Sequence, residues 1–340
     1  METTKNKRAG GKATSRGPLI LRQKDFDAHL PELKVVNALR SAFAGLADGR
    51  AAQPPQSWGV VGDEVDIIWY PGILADQKLF GAKLSPYFPS RKTGPKVTAW
   101  TVLFSTETGE PTLLCDSFAL TTERTAATTA LALQLLVPAG AKRLAVIGVG
   151  VVGMAHLRYA AAIHDWNQIS LYSRKIDQHK SIEKSVAPAL RKKVKIAPSA
   201  EAAVSDSDVI LLCTSSGTPV IDHRWLRPGQ LVTSISTNVA NAHEIAAEAI
   251  PGLEVYCDYR ATTPSVAGEM KLAAQQHGWS PQSVRGDLPE MVKGKATLPS
   301  GQKPIFFRSV GLGIEDIAIA SVLLQNRQKN KIACRGGSSR

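Results

Sequence analysis

The sequence predicts an α/β protein in which a central, doubly wound parallel sheet is joined to a smaller α+β domain. Three observations lead to this prediction. The 340 residues give room for about two domains at ~150 residues each. Strand-like and helix-like segments alternate from residue 144 onward, whereas residues 65–117 contain short β-rich runs. The composition, 44% hydrophobic and 21% charged, is that of a globular protein.

The segment before residue 144 predicts the α+β domain. Apolar residues at helical spacing predict a helix from Leu30 to Leu46. Strand-like runs follow at residues 65–70, 97–104 and 111–115. The turn at residues 106–110 predicts that the last two runs form an antiparallel pair. A second helix is expected over residues 121–136.

The segment from residue 144 to residue 257 predicts the parallel sheet. Leu144–Ile147 is a continuous apolar run, as expected for a strand buried on both faces. Similar runs, separated by segments that suit crossover helices, lie at residues 169–172, 194–196, 209–213, 231–235 and 253–257. We therefore assign residues 129–307 to the parallel-sheet domain, and residues 18–128 together with 308–328 to the α+β domain.

The net charge of +12 lies mostly at the two ends of the chain. Residues 1–17 carry +4 and residues 326–340 carry +5, in polar segments without apolar periodicity. These features predict mobile basic tails at residues 1–17 and 329–340 around a nearly neutral body. This distribution disfavours a nucleic-acid-binding function, although a basic tail can bind polyanions weakly.

The cysteines and the apolar runs limit the possible classes of protein further. The four scattered cysteines form no CxxC pair and no Cys/His cluster, which predicts unpaired thiols and no metal site. No apolar run reaches the ~18 residues of a membrane span, and the N-terminus lacks the apolar segment of a secretory signal. We therefore expect a cytoplasmic protein that does not enter a membrane.

A glycine-rich loop, Gly148-Val149-Gly150-Val151-Val152-Gly153, follows the first parallel strand. A strand precedes it and a helix follows, which is the setting of a Rossmann dinucleotide-binding loop. Gly148 would permit the tight turn, Gly150 the approach of the pyrophosphate, and Gly153 the packing of helix on strand. The loop, with Val151 and Val152 at the helix start, is predicted to bind a nicotinamide dinucleotide; an accidental glycine-rich turn is the alternative.

The end of the second parallel strand predicts the form of the cofactor. Ser173-Arg174-Lys175 stands where NAD-binding proteins normally carry Asp or Glu. A hydroxyl and two cations would bind the 2′-phosphate of NADP(H), so NADP(H) is favoured over NAD(H). The alternative is that the two cations are solvated loop charges. Further cofactor contacts are predicted at Thr214, Ser309 and Gly311.

Two cations outside the parallel-sheet domain are candidate substrate ligands. Lys83 lies within the largely apolar stretch Phe80–Tyr87, and Arg124 is expected in the first turn of its helix, where the helix dipole disfavours a cation. An arginine there would suit a carboxylate ligand. A surface charge or a salt bridge is the alternative for each. The stretch Ser309–Asp316 is predicted to form a helix entry that either closes over the nicotinamide or caps a core helix.

Together these stretches resemble the ornithine cyclodeaminase/μ-crystallin family. The resemblance covers roughly residues 20–328 and includes Gly81-Ala82-Lys83, Thr108-Gly109-Glu110-Pro111, Leu120–Ala127, the glycine loop and Ser309–Asp316, in that order. It implies a homodimer whose α+β domain dimerises and binds substrate. It also implies that Lys83 contacts the substrate carboxylate and imine region and that Arg124 clamps the carboxylate.

Two positions depart from the family pattern. Gln56 stands where many members have an arginine, and Asn238 stands where cyclodeaminases have a proton-transferring aspartate. Asn cannot exchange a proton near neutral pH, which disfavours ring closure. Gln53–Gln56, Lys83–Tyr87, Val97–Thr101 and Thr237-Asn238 most resemble the L-arginine dehydrogenase branch.

The sequence therefore predicts hydride transfer between NADP(H) and the α-carbon of an L-amino acid, arginine favoured, or of its 2-imino acid. Lys83 and Arg124 would hold the carboxylate and polarise the imine, and Gln56 and Asn238 would orient the α-nitrogen. Asp63, Glu64 and Asp66 are candidates for a basic side chain by local charge only. The alternatives are a Δ1-pyrroline-2-carboxylate or Δ1-piperideine-2-carboxylate reductase, an ornithine cyclodeaminase, and a non-catalytic NADPH-binding protein.

Overall fold

The computed structural model describes residues 17–25, 30–62, 64–88, 90–174, 182–236 and 241–336. For residues 183, 184 and 328–336 it describes the backbone alone. Outside the described residues lie residues 1–16 of the predicted N-terminal tail and residues 337–340 of the C-terminal one. The predicted site residues Lys175 and Asn238 and the candidate acid Asp63 also lie outside them. The predicted α/β class is confirmed, because the chain forms one largely antiparallel sheet and one parallel sheet.

The first sheet has seven strands, antiparallel except where its first strand joins its last. They are β1 (Leu19–Leu21), β2 (Ala51–Ala52), β3 (Ser57–Val61), β4 (Val65–Leu74), β5 (Leu79–Tyr87), β6 (Trp100–Ser105) and β7 (Pro111–Asp116). Their order is β1-β7-β6-β5-β4-β2, and β3 also pairs with β4. Side chains alternate between the two faces. In β5, Leu79 and Lys83 are therefore buried on the inner face, whereas Phe80 is partly exposed on the outer face.

The second sheet has eight strands, and all of their described pairings are parallel. They are β8 (Arg143–Ile147), β9 (Gln168–Tyr172), β10 (Val194–Ile196), β11 (Val209–Leu212), β12 (Leu231–Ser234), β13 (Glu254–Cys257), β14 (Gly286–Asp287) and β15 (Ile305–Arg308). Their order is β10-β9-β8-β11-β12-β15-β13-β14. The chain reverses its direction of travel between β8 and β11, and a crevice at such a switch point is the usual ligand site of this fold.

Helices cover the parallel sheet and join it to the first sheet. They are α1 (Glu32–Ala47), α2 (Phe118–Leu136), α3 (Val151–Ile163), α4 (Ile182–Ser185), α5 (Ala200–Ser205), α6 (Thr263–Val266), α7 (Gly268–Gln276), α8 (Leu288–Val292) and α9 (Gly313–Gly336). Helix α2 packs against α3 and also against α1 and α9. The predicted domain boundary after residue 128 thus falls inside a continuous helix. Helix α9 returns to the inner face of the first sheet, against β4, β5 and β6.

The structure corrects three features of the sequence prediction. The sequence did not reveal β5, because Gly81, Lys83 and Pro86 interrupt its apolar alternation; pairing with β4 and β6 makes it a strand. Helix α2 begins at Phe118 because the Asp116 carboxylate accepts a hydrogen bond from the Phe118 amide at 3.0 Å. The prediction that Arg124 lies in the first helical turn is therefore wrong, since this residue lies in the second turn.

The third correction concerns the C-terminal end. Residues 329–336, predicted as part of a mobile tail, continue helix α9 as far as Gly336. Lys, Arg and Ala, which make up half of the segment, are good helix formers, and the segment contains no Pro and no Gly before Gly336. Among the described residues, no helix is both long enough and apolar enough to cross a membrane.

Candidate cofactor and substrate site

The glycine-rich loop forms a tight turn between β8 and α3. Gly148 has a φ of +97°, a conformation that glycine adopts readily and other residues rarely do. A Cβ atom on Gly153 would lie 1.8 Å from the Gly148 carbonyl oxygen, so only glycine lets α3 pack this closely on the loop. Gly150 caps the N-terminus of α3, and a Cβ atom there would meet nothing within 4 Å. The loop therefore leaves open space in front of a helix N-terminus, where backbone amides favour an anion.

A cavity of about 650 Å³ lies in front of this loop, at the switch point of the parallel sheet. Its lining includes the predicted cofactor residues Gly148, Gly150, Val151, Val152, Ser173, Arg174 and Thr214. Ser173 and Arg174 enter from the end of β9, and Thr214 enters from the end of β11. Residues from three separate βα connections thus meet at one crevice, as the Rossmann prediction requires.

The buried carboxylate of Glu244 holds the rim of this crevice. One carboxylate oxygen accepts hydrogen bonds from the Thr214 amide and hydroxyl, at 2.7 and 2.8 Å. The other accepts from the Ser234 hydroxyl and from the amides of Ile235 and Ser236, at 2.8 to 3.2 Å. Five donors on one carboxylate fix the ends of β11 and β12 relative to each other. The sequence prediction did not include Glu244.

A second group of residues lies between the inner face of the first sheet and helices α2 and α9, and it contains four buried ionisable side chains. Lys83 Nζ lies 3.0 and 3.1 Å from the two carboxylate oxygens of Asp316. Arg124 Nη1 lies 3.1 Å from Glu315 Oε2, and Arg124 Nε lies 3.3 Å from Asp316 Oδ1. Lys83 Nζ also lies 4.2 Å from the centre of the Tyr70 ring, a cation–π distance. We call Lys83, Arg124, Glu315 and Asp316 the charge cluster.

Burial changes the proton affinities within the charge cluster. It lowers the pKa of Lys83 to about 8, although the negative charge of Asp316 opposes this shift. Burial also raises the pKa of Glu315 to about 8, against the opposing charge of Arg124. Both groups can therefore exchange a proton near neutral pH, which is the range that acid–base chemistry requires.

Gly311 connects the charge cluster to the carboxyl end of the parallel sheet. Its amide and that of Val310 donate to the Asp258 carboxylate at 3.0 and 2.7 Å. Gln56 Nε2 donates to the Gly311 carbonyl oxygen at 3.0 Å. A Cβ atom on Gly311 would lie 2.1 Å from Arg124 Nη1, so the guanidinium packs directly on this backbone. Strand β15, which precedes Gly311, is three strands from β8, a separation of ~14 Å.

The structure thus brings the predicted residues together in two adjoining groups. Gln56, Lys83, Arg124 and Gly311 meet at the charge cluster. Ser309 is buried and its amide donates to the Ser234 carbonyl oxygen, so Ser309 and Gly311 lie near the cofactor cavity without lining it. The sequence prediction missed Glu315 and Asp316 as partners of the cations. The signal for them was two adjacent acids at the start of a helix that is otherwise largely apolar as far as Leu324.

Comparison with known proteins extends this picture. Residues 17–331 match the sequence profile of the ornithine cyclodeaminase/mu-crystallin family. The chain is 48% identical, over 92% of its length and 98% of the relative, to the NAD(P)H-dependent anabolic L-arginine dehydrogenase of Pseudomonas aeruginosa. It is 27% identical to the Δ1-pyrroline-2-carboxylate reductase of Colwellia psychrerythraea, over 74% of the chain and 81% of the relative.

A solved structure shows the same fold. The Δ1-pyrroline-2-carboxylate reductase of Thermococcus litoralis, in complex with NADH and L-proline, superimposes with a TM-score of 0.84. The two chains share 22% sequence identity, and the match covers 92% of this chain and 98% of the other. The predicted architecture, a Rossmann sheet with an α+β companion, is therefore shared with a nicotinamide-dependent enzyme.

Two alanine substitutions in the glycine loop should separate binding from folding. Gly150→Ala places a methyl group in open space, so the protein should fold normally but bind NADPH ~10-fold or more weakly, because the methyl group obstructs the pyrophosphate. Gly153→Ala forces the loop and helix apart and should cost about 1–3 kcal/mol of unfolding free energy. Fluorescence titration with NADPH and urea denaturation measure the two effects. Wild-type NADPH affinity in Gly150→Ala would contradict the proposed pyrophosphate position.

Proposed function

The chain belongs to the ornithine cyclodeaminase/mu-crystallin family, and on that basis we propose that it transfers hydride between NADP(H) and the α-carbon of an L-amino acid or its 2-imino acid. L-Arginine is the favoured substrate, because the 48% identical relative is an L-arginine dehydrogenase. The observation that carries the proposal is the position of two buried cations: Arg124 packs on the loop that leaves the parallel sheet at Gly311, and Lys83 shares the partner Asp316 with it.

The cofactor cavity fits a nicotinamide dinucleotide. Its turn requires a positive φ at Gly148, its helix N-terminus faces open space at Gly150, and its volume is about 650 Å³. Arg174 and Ser173 line the end where the 2′-substituent of the adenosine ribose would lie, and no Asp or Glu lines this cavity within the described residues. A cation and a hydroxyl favour a 2′-phosphate, which supports NADP(H) over NAD(H).

The charge cluster supplies the substrate ligands. Arg124 carries five N–H donors in a planar fork, a geometry that matches a carboxylate. Lys83 would bind the same carboxylate and, with its lowered pKa, would exchange a proton with the α-nitrogen as the amine becomes an imine. Gln56 and Asn238 would orient that nitrogen. The bound nicotinamide accepts or returns the hydride, and these residues position the α-carbon for that transfer.

The protonation of the charge cluster determines how it can accept the carboxylate of a substrate. With all four members ionised, the two cations and the two carboxylates balance. A substrate carboxylate would add a negative charge to a buried site, which is costly without compensation. Because burial raises the pKa of Glu315 to about 8, this carboxyl is mostly protonated at neutral pH, so the substrate carboxylate would take the place of the second negative charge. The cluster would thus accept an anionic group without unpaired buried charge.

A second candidate is the reduction of a cyclic imine. The 27% identical relative from Colwellia psychrerythraea is a Δ1-pyrroline-2-carboxylate reductase, and a cyclic 2-imino acid presents the same carboxylate and C=N group to Lys83 and Arg124. The same residues would also serve an ornithine cyclodeaminase, but Asn238 lacks the proton-transferring carboxylate. A non-catalytic NADPH-binding protein would need only the cofactor cavity.

A homodimer, with residues 18–128 and 308–328 as its dimerising domain, is part of the proposal. The outer face of the first sheet is apolar and partly exposed, and in the described chain helix α9 covers the opposite face. Phe80 and Phe104 stack on this outer face with ring centres 5.2 Å apart, and Phe80 and Ile73 remain 37% and 36% exposed. Trp69, Leu84, Trp100 and Val102 share this face by strand alternation. A second copy of the chain would bury such a patch.

The function is tested by steady-state oxidation of L-amino acids with NADP⁺, followed by the absorbance of NADPH. Wild type should oxidise L-arginine, and Arg124→Gln should lower kcat/KM about 10- to 100-fold because a charge-assisted carboxylate contact is lost. NADPH binding by this variant controls for folding, because removal of Arg124 also takes a buried partner from Glu315 and Asp316. Turnover of Δ1-pyrroline-2-carboxylate alone would favour the reductase, and conversion of L-ornithine to proline and ammonia would favour the cyclodeaminase. Tight NADPH binding without turnover on any of these would overturn the enzymatic proposal.

The cofactor preference is tested by Arg174→Ala. Loss of this cation should lower kcat/KM for NADPH about 10- to 100-fold and leave that for NADH nearly unchanged, because only NADPH carries the 2′-phosphate. Lys192→Ala is the matched control, since Lys192 is an exposed cation outside the cavity lining. An equal fall with both cofactors would contradict the assignment of Arg174 to the 2′-phosphate.

The homodimer is tested by Val102→Lys, which places a charge on the outer face of the first sheet. Sedimentation velocity should show wild type at twice the 36.4 kDa chain mass and the variant mainly as monomer. Leu298→Lys is the control, because Leu298 is 75% exposed and lies outside this sheet. A monomeric wild type, or an unaltered dimer in Val102→Lys, would argue against this interface.

A further inference from the structure

The inner face of the first sheet continues beyond the charge cluster as an open surface. Helix α9 begins at Gly313, whose backbone packs on Tyr70 and Pro71, and then runs over Gly72. Strand β4 extends in the other direction through Ile68 to Asp66. Because side chains alternate, Asp66 and Ile68 share the inner face with Tyr70, the cross-strand partner of Lys83.

Two rows of cross-strand neighbours make up this open surface. The first row contains Trp58, Ile68 and Ser85, and the second contains Val60, Asp66 and Tyr87. Trp58 and Val60 are each 62% exposed, an unusual position for large apolar side chains on the same face as a buried lysine. Moving outward from the charge cluster, a mainly apolar row is therefore followed by a row that contains one acid, Asp66.

Asp66 is the acid of this surface that lacks a partner. Within the described residues, its partly buried carboxylate has no hydrogen bond and no ion pair. Asp316 and Glu315, in contrast, are paired to Lys83 and Arg124. Glu64 also carries a negative charge nearby, but it lies in the exposed turn before β4 and outside the strand. The sequence could not choose between these neighbouring acids, whereas strand register separates them.

The spacing along β4 leaves room for an extended arginine side chain between Lys83 and Asp66. Tyr70 and Asp66 are four residues apart, which is ~14 Å at ~3.4 Å per residue. In an amino acid whose carboxylate binds Lys83, the guanidinium carbon of an extended side chain would lie about 6 Å from the α-carbon, given five bonds of ~1.5 Å and their bond angles. The Asp66 side chain and one hydrogen bond span most of the remaining distance. The methylene groups would lie over Ile68 and its cross-strand neighbour Trp58.

We propose that Asp66 binds the distal cationic group of the substrate and so selects arginine-like amino acids, with Trp58 and Ile68 contacting the intervening methylene groups. This inference rests on the proposed amino-acid dehydrogenase function, and it adds the residue that decides which side chain is accepted. Lys83 and Arg124 would be common to all substrates, because every amino acid carries the carboxylate. Asp66 would contribute to binding only when the side chain ends in a cation.

The test compares a charged and an uncharged substrate in three proteins. L-Arginine and L-norleucine, whose side chain is unbranched and uncharged, are assayed with NADP⁺ in wild type, Asp66→Asn and Glu64→Gln. Asp66→Asn should lower kcat/KM for L-arginine about 10- to 100-fold, mainly by raising KM, because a charge-assisted contact is lost. It should leave kcat/KM for L-norleucine unchanged. Glu64→Gln, which removes the same charge two residues away, should behave as wild type with both substrates.

Inhibition provides a second readout that does not require turnover. 5-Guanidinopentanoate should inhibit wild type more strongly than pentanoate, which has the same carboxylate and chain but no cation. Asp66→Asn should abolish most of this difference, and Asp66→Glu should retain part of it.

Each possible outcome has a distinct meaning. An equal loss of kcat/KM with L-arginine and L-norleucine in Asp66→Asn would show a structural role and overturn the assignment. Unchanged arginine kinetics in this variant would also overturn it. If Glu64→Gln shows the arginine-specific loss instead, the exposed turn binds the cation and Asp66 does not. A wild type that oxidises no amino acid would overturn the proposed function itself, and the role of Asp66 with it.

Discussion

The buried charge cluster is the interaction on which the arrangement of the whole molecule depends. Lys83 comes from β5, Arg124 from α2, and Glu315 and Asp316 from the first turns of α9. None of these charges is stable alone in the interior, since an unpaired buried charge costs several kcal/mol. The cations therefore require the last helix to return to the first sheet, which joins β5, α2 and α9 at the charge cluster.

The same need for charge compensation shapes the edge of the parallel sheet. Glu244 binds the ends of β11 and β12, and Asp258 binds the amides of Val310 and Gly311. Arg308, fully buried, pairs with Glu269 at 2.6 Å and donates to the Ser309 and Ser236 carbonyl oxygens. These groups hold loops that would otherwise be mobile, and preorganised loops are what a positioning mechanism needs. A connected set of hydrogen bonds thus runs from Thr214, which lines the cavity, to Gly311 beside the charge cluster.

The proposed roles of the charge cluster in binding the carboxylate, and of the surface along β4 in selecting the side chain, follow from this geometry. The cluster of two cations and two acids is set by the fold and suits any carboxylate, whereas the surface along β4 differs in character from one row to the next. A family that varies its substrate can therefore retain the cluster and change a few side chains on the open inner face. Function in such a fold depends on these local side chains more than on the architecture, which distant relatives share.

The sequence by itself determined the parallel sheet and the glycine loop, because continuous apolar runs and glycine spacing are local signatures. It also singled out Lys83 as a charge in apolar surroundings and Arg174 by its place after the second parallel strand, whereas it selected Arg124 from a helix position that the structure corrects. It did not determine β5, the start of α2, or the partners of the cations, since Lys83 and Asp316 are separated by more than two hundred residues. Only the tertiary structure decided which acids neutralise the cations and which acid faces the open surface. Strand register and helix docking make that choice, and neither can be read from neighbouring residues.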